Sequence, residues 1–377
     1  MSLVPDHIAA IKPYVPGKPM AELERELGLT STIKLASNEN PLGPTPKVLR
    51  ALRASLAEIN RYPDGSAFEL TRALAAKLEV PPEAILLGNG SNEVIDIAVR
   101  TFLRPGEEVV SAAGAFVVYQ LATQAAGGVN VVVPMRADTH DLAAMAAAVT
   151  PRTRFVFVAN PNNPTGTFVT EREVERFLAA LPPNVIAVFD EAYYEYVARR
   201  TFPDTLRRVR AGLPVLCLRT FSKAYGIAGL RIGYLVGPPE HVAEMNKVRE
   251  PFNTTNVGQA AAIAALGDEE HCERTKALVR EERPFLATEL SRRGAVVNPS
   301  LGNFLLVELP IPFGPLEPEF ARRGVILRPM GGWGFPLAFR LSVGTRPENL
   351  RFLAVFDELL AAGRLGLPAE SVSVAAG

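Results

Sequence analysis

The residues of this chain that could do chemistry gather around one lysine. Lys223 lies in Arg219-Thr220-Phe221-Ser222-Lys223-Ala224-Tyr225-Gly226-Ile227-Ala228-Gly229-Leu230-Arg231, directly after the apolar run Val215-Leu216-Cys217-Leu218. Such a run reads as a buried strand, so the lysine stands at a strand end. Burial lowers the pKa of an amine there and frees it as a Schiff-base nucleophile. Thr220 and Ser222 add hydroxyls and Arg231 a guanidinium, the donors that a phosphate monoester needs. A cofactor with both an aldehyde and a phosphate satisfies the whole set, and pyridoxal phosphate is that cofactor. Taken alone, a Ser-Lys pair is more often a surface turn, so the placement of the other polar residues decides.

Those residues fall at equivalent places. Apolar stretches at 155–159, 185–189 and 215–218 recur at intervals of about thirty residues, the length of one βα unit. Right-handed crossovers make such strands parallel and bring their C-terminal ends to one edge of a sheet, where open α/β sheets bind ligands. Asn163, Asp190, Tyr193, Ser222 and Lys223 all fall at that edge. The loop Asn160-Pro161-Asn162-Asn163-Pro164-Thr165-Gly166 is stiff enough to hold an asparagine amide in place. An aspartate such as Asp190, facing a pyridine nitrogen, keeps it protonated and makes the ring an electron sink.

Upstream, Ile85-Leu86-Leu87 runs into Gly88-Asn89-Gly90-Ser91-Asn92-Glu93, followed by Val94, Ala98 and Phe102 at helical spacing. A glycine-rich turn opening a helix offers free amides to an anion, with Gly90, Ser91 and Asn92 as its candidates. Ser91 serves equally as a plain N-cap. No Gly-Lys-Ser/Thr follows, so this is not a Walker loop. Phe116 opens a helical stretch containing Tyr119 and reads as core or as a ring stacked on a flat ligand. Tyr62, before the Pro63-Asp64-Gly65 turn, is a core anchor or a site residue. Asn38 reads as a turn residue capping its own backbone.

Composition narrows the classes. The 377 residues, 48% hydrophobic, suffice for a large domain plus a smaller one. Zero formal net charge and the lack of a long basic run argue against nucleic acid as the main partner. No apolar run reaches membrane-spanning length and the N-terminus lacks signal-peptide character, so no membrane partner and a cytoplasmic location are expected. Cys217 and Cys272 form no CxxC and the four histidines lack ligand spacing, so no metal is expected.

The expected fold class is α/β. A large domain with a mostly parallel sheet flanked by helices covers 45–267, and a smaller α+β domain covers 268–377. The N-terminal segment 1–44 joins the small domain. Helices are expected at about 240–249, 259–266 and 269–293, with Pro284 as a kink point in the last. Strands at 303–309 and 338–343 mark the small domain. Arg340, inside the second, reads by itself as an exposed charge. Arg328 stands at the base of a glycine-rich turn, and the tail after about 366 reads as disordered.

Several ordered motifs run through nearly the whole chain: Pro13-Tyr14-Val15-Pro16-Gly17-Lys18-Pro19, then 34–44, Arg61-Tyr62-Pro63-Asp64-Gly65, the Asn163 loop, Asp190-Glu191-Ala192-Tyr193, the Lys223 run and Arg328-Pro329-Met330. On these motifs the chain resembles the fold-type I pyridoxal-phosphate aminotransferases. Within them it is similar to the branch that transfers the amino group of L-histidinol phosphate to 2-oxoglutarate in histidine biosynthesis. The resemblance implies that Lys223 forms the Schiff base and then moves the proton. It implies that Asp190 pairs with the pyridinium nitrogen, and that Asn163 and Tyr193 bind the ring's phenolic oxygen. Phe116 matches the stacking position, while Gly90, Ser91, Asn92, Thr220, Ser222 and Arg231 match the phosphate and cofactor site. Tyr62 matches a tyrosine that reaches the cofactor of the other subunit, which implies a homodimer. Tyr14, Asn38, Tyr62, Arg328 and Arg340 match the substrate side.

The chain departs from the branch at Phe116, where many relatives have tyrosine, and at Trp333 and Phe335, where tyrosine and leucine are common. The last two bear on the substrate's side group. Transamination of aromatic amino acids, decarboxylation of threonine phosphate and a non-catalytic sensor role are the competing readings.

Overall fold

The computed structural model describes residues 3–13, 20–198 and 200–368. Its strands are β1 (Ile33–Lys34), β2 (Ile85–Asn89), β3 (Glu108–Ala112), β4 (Val129–Val133), β5 (Thr153–Ala159), β6 (Ile186–Asp190), β7 (Val215–Thr220) and β8 (Ile232–Val236). They continue with β9 (Val296–Val297), β10 (Phe304–Glu308), β11 (Val325–Ile326), β12 (Arg328–Pro329) and β13 (Ala338–Ser342).

A seven-stranded sheet in the order β2-β8-β7-β6-β5-β3-β4 carries the site. Its central strands β6 and β7 are buried at every residue, the pattern of parallel strands covered on both faces. β5, β6 and β7 pair in parallel, so their C-terminal ends do share one edge. β8 alone runs against the rest, pairing antiparallel with both β7 and β2. The reason is local. The link between Thr220 and Ile232 holds only a short 3-10 turn, too little for the helical crossover that a parallel return requires. Lys223 therefore sits on a tight return loop.

Helices connect the parallel strands. Helix Glu171–Ala180 follows β5 and is held by a capping box between Thr170 and Glu173. Helix Gly90–Phe102 follows β2 directly. Helix Glu269–Arg292 runs unbroken through Pro284, where the sequence suggested a kink.

A second, antiparallel sheet has the order β12-β13-β10-β9, and β1 pairs in parallel with β11. Each sheet has its own hydrophobic core. One gathers residues from Val48 to Leu266, and the other joins Leu35, Tyr193 and Ala224 to residues between Val279 and Leu365. Among the described residues, no helix is long and apolar enough to cross a membrane, and no group of three or more ligating side chains could hold a metal.

Candidate active site

The C-terminal edge of the large sheet frames a cavity of about 200 Å³. Ser91, Asn92, Phe116, Asn163, Asp190, Tyr193, Thr220, Ser222, Lys223 and Arg231 line it, together with Tyr119. The residues that the sequence placed at separate strand ends thus meet in one space.

Two loops are locked before any ligand enters. Asn160 folds its side chain back on Val169, accepting from its N–H at 3.0 Å and donating to its carbonyl at 3.3 Å. Asn162 donates to the Gly114 carbonyl at 3.1 Å. Asn163 follows these anchors directly and lines the cavity. The loop after β6 is tied to β7 by the buried pair Glu191–Arg219, with Arg219 donating to Glu191 Oε2 at 2.8 and 3.0 Å. The ring of Tyr194 covers the Arg219 guanidinium at 3.7 Å.

Lys223 donates to the Ser37 carbonyl at 3.2 Å. Burial, reinforced by the positive charges of Arg340 and Arg231, lowers its pKa to about 7. A neutral amine is thereby available near pH 7, the state a nucleophile requires. Asp190 is buried, and burial raises its pKa. Hydrogen bonds oppose that shift: Tyr119 Oη donates to Oδ2 at 2.7 Å and the Ala192 N–H to Oδ1 at 3.1 Å. Tyr119 is itself fixed by stacking on Phe157 with centroids 4.6 Å apart, and meets the Phe116 ring edge-on at 5.7 Å.

The opposite end of the cavity suits an anion. Helix Gly90–Phe102 starts there, with Ser91 and Asn92 in its first turn and its positive dipole end toward the cavity. Arg231 reaches Ser222 Oγ at 3.3 Å, and Ser222 Oγ lies 2.9 Å from Thr220 Oγ1. Gly90 has a φ of +75°, and a Cβ on it would meet Arg231 at 2.2 Å. Glycine is required for the arginine to lie this close to the helix start. An amine poised for an aldehyde, a carboxylate, a half-buried aromatic face at Phe116 and this anion pole together fit a flat phosphorylated aldehyde.

The second sheet approaches through Arg340, which is buried at 8% exposure rather than solvated as its strand alone suggested. It donates to Asn163 Oδ1 at 2.6 Å and to the Ala36 carbonyl at 2.7 Å. Arg328 is its cross-strand neighbour in the β12–β13 register and lies over the Trp333 ring at 5.1 Å. Asn38 turns to Tyr193, donating to its hydroxyl at 2.9 Å. Tyr62 lies apart from the cavity lining, 83% exposed and stacked on Phe252 at 4.8 Å. Tyr14 lies outside the described residues, as does the tail from 369 onward.

Sequence reasoning placed Tyr119 in the helical stretch after Phe116 and gave it no role in the site. The signal that could have found it is its helical spacing from Phe116: if one ring faces the site, a residue three positions later shares that face.

Residues 30–356 match the family described as aminotransferase class I and II, and the chain belongs to that family. A solved structure, that of histidinol-phosphate aminotransferase from Sinorhizobium meliloti in complex with pyridoxal-5'-phosphate, superposes with a TM-score of 0.87. It is 29% identical and covers 96% of this chain and 98% of its own. The fold is therefore that of the fold-type I aminotransferases. Among sequences, the chain is 51% identical to histidinol-phosphate aminotransferase of Anaeromyxobacter sp. (strain Fw109-5), over 96% of this chain and 100% of that one. It is 46% identical to histidinol-phosphate aminotransferase of Moorella thermoacetica, over 94% of this chain and 92% of that one.

Proposed function

We propose that the protein is a pyridoxal-phosphate-dependent transaminase that passes the amino group of L-histidinol phosphate to 2-oxoglutarate in histidine biosynthesis. When bound, the cofactor supplies an aldehyde carbon for the substrate amine and a ring that takes up the electrons of the Cα–H bond.

The chain's own groups do the rest. Lys223, whose depressed pKa makes its neutral form available near pH 7, takes and returns the proton. Asp190, oriented by Tyr119 and the Ala192 N–H, holds a proton at the ring nitrogen. Asn163 and Tyr193 hold the ring's phenolic oxygen, and Phe116 covers one ring face. Gly90, Ser91, Asn92, Thr220, Ser222 and Arg231 hold the phosphate.

The observation that carries the substrate assignment is the pairing of Arg328 with Arg340. Guanidiniums at register partners stand close enough to share one doubly charged phosphate ester between them. The 2-oxoglutarate carboxylates use the same pair in the second half of the cycle. Trp333 and Phe335 pack on the Met330, Leu306 and Ala338 cluster, which keeps the aromatic amino acid reading alive as a competitor. Yet the Trp333 face is already engaged by Arg328.

The protein works as a homodimer in the cytoplasm, Tyr62 reaching the cofactor phosphate of the second subunit and Tyr14 and Asn38 bordering the substrate. Its exposure beside Phe252 supports that role for Tyr62. The chain divides into segment 1–44, a large domain at 45–267 and a small domain at 268–377, a division supported by the two separate cores.

The test is a half-reaction screen. The purified, cofactor-loaded protein is mixed with single amino donors and its absorbance followed. Rapid conversion by histidinol phosphate, and slow conversion by phenylalanine and threonine phosphate, is the expected pattern. Faster conversion by phenylalanine overturns the assignment.

A further inference from the structure

Tyr193 is addressed from the second sheet at two points. Its ring meets Phe304 edge-on at 5.0 Å, and its hydroxyl accepts from Asn38 Nδ2 at 2.9 Å. Asn38 is in turn held by Ser342, which is the register partner of Phe304 on β13. All three polar residues are buried: Asn38 is 1% exposed, Ser342 2% and Tyr193 4%.

The donors and acceptors of this chain have one direction. The backbone N–H of Asn38 can only donate, and it points at Ser342 Oγ at 2.7 Å. The Ser342 hydroxyl sends its own proton to Asn38 Oδ1 at 3.1 Å. With Oδ1 used as an acceptor, Nδ2 faces Tyr193 and donates. The Tyr193 oxygen therefore accepts, and its proton is not committed to Asn38. In the reverse amide orientation Ser342 would receive two donors, and its proton would lose the acceptor it has now. Asn38 holds this position with a φ of +54°, a conformation asparagine tolerates, and Asn303 Nδ2 pins its carbonyl at 3.1 Å.

We infer that Ser342 is a positioning residue: through Asn38 it sets the hydrogen-bond polarity of Tyr193, so that the phenol accepts from Asn38 and keeps its own proton for the cavity side rather than for Asn38. The inference rests on the reading that Tyr193 donates to the cofactor's phenolic oxygen. Tyr193 lines the cavity. Lys223 Nζ lies 5.6 Å from the Tyr193 ring centroid, and the charges of Arg340, Glu39, Arg231 and Asp190 act on that amine.

The test is the pH midpoint of the visible-absorbance transition of the pyridoxal-phosphate-loaded protein, read without substrate. A phenol donating to the ring oxygen stabilises the deprotonated Lys223 linkage, so losing that donation raises the midpoint. Ser342→Ala frees the Asn38 amide to turn and accept from Tyr193, and should raise the midpoint by about 0.5–1 pH unit. Ser342→Cys keeps the size but weakens the donor, and should move it in the same direction. Ser342→Thr keeps the hydroxyl and the native midpoint. In a Tyr193→Phe background Ser342→Ala should add nothing. Native midpoints in both Ser342→Ala and Ser342→Cys, with Tyr193→Phe shifted, overturn the relay and leave the Tyr193 reading standing. An equal Ser342→Ala shift in the Tyr193→Phe background overturns it too. An unshifted Tyr193→Phe removes both.

Discussion

Tyr119 donates a 2.7 Å hydrogen bond to Asp190, and both buried groups line the cavity. A buried carboxylate prefers to be protonated, and this hydrogen bond is what opposes that preference most strongly. Tyr119→Phe keeps the stack on Phe157 and removes only the donor. The Asp190 pKa then rises further, so the acid limb of kcat/KM moves to higher pH. Activity at neutral pH should fall roughly 10- to 100-fold, the worth of one hydrogen bond to a charged group. A pH–rate profile checks both, and an unmoved acid limb contradicts the role given to Tyr119.

Lys223 couples the site to stability. Its folded pKa of about 7 lies below the ordinary 10.5. Between those values the unfolded chain holds a proton that the folded chain has released. The group therefore adds stability as pH rises from about 7 toward 10.5, and that gain is lost as pH falls back through 7. The slope is at most about 1.4 kcal/mol per pH unit. Denaturant titrations of cofactor-free native protein and of Lys223→Met should show their stability difference tilting in native protein's favour across that window. A difference independent of pH contradicts the depressed pKa.

The Glu191–Arg219 pair ties the residue after Asp190 to β7, the strand that leads into the Lys223 loop. Glu191 is fully buried and Arg219 nearly so. Glu191→Ala removes the carboxylate hydrogen-bonded to the buried Arg219 guanidinium and should cost about 3–5 kcal/mol of unfolding free energy. Urea unfolding measures it. A loss below about 1 kcal/mol, the range of surface pairs, shows that water reaches this site.

The assembly is tested by complementation. Tyr62→Ala and Lys223→Ala chains, mixed and refolded, should regain activity, because one site in each mixed dimer keeps both native residues. No recovery in mixed dimers shown to form removes Tyr62 from the partner's site.

The site was legible where chemistry coincided with strand ends. Asn163, Asp190, Tyr193, Ser222 and Lys223 each follow an apolar run, and parallel pairing brings such ends together without further information. Contacts between the two sheets were not legible. Arg340 reads as an exposed strand charge until β13 is set against the Asn163 loop, 177 positions away in sequence. Asn38 reads as a turn residue, and its backbone φ agrees, but its side chain is held by residues from β13 and from the loop after β6. Nothing in local spacing encodes such meetings. The reversal of β8 follows from the shortness of one link, a signal that strand hydrophobicity alone does not carry.

The central claim is that Arg328 and Arg340 together receive a phosphate. Losing one charge-assisted partner to a buried phosphate should cost roughly 2–5 kcal/mol, or on the order of 30- to several thousand-fold in transition-state binding. The direct measurement is kcat/KM for histidinol phosphate and for phenylalanine, on native protein and on Arg328→Ala. The native protein should prefer histidinol phosphate, and Arg328→Ala should lower that value far more than the value for phenylalanine, which has no phosphate to leave unpaired. A native preference for phenylalanine, with both substrates affected equally by Arg328→Ala, contradicts the claim and makes the protein an aromatic aminotransferase.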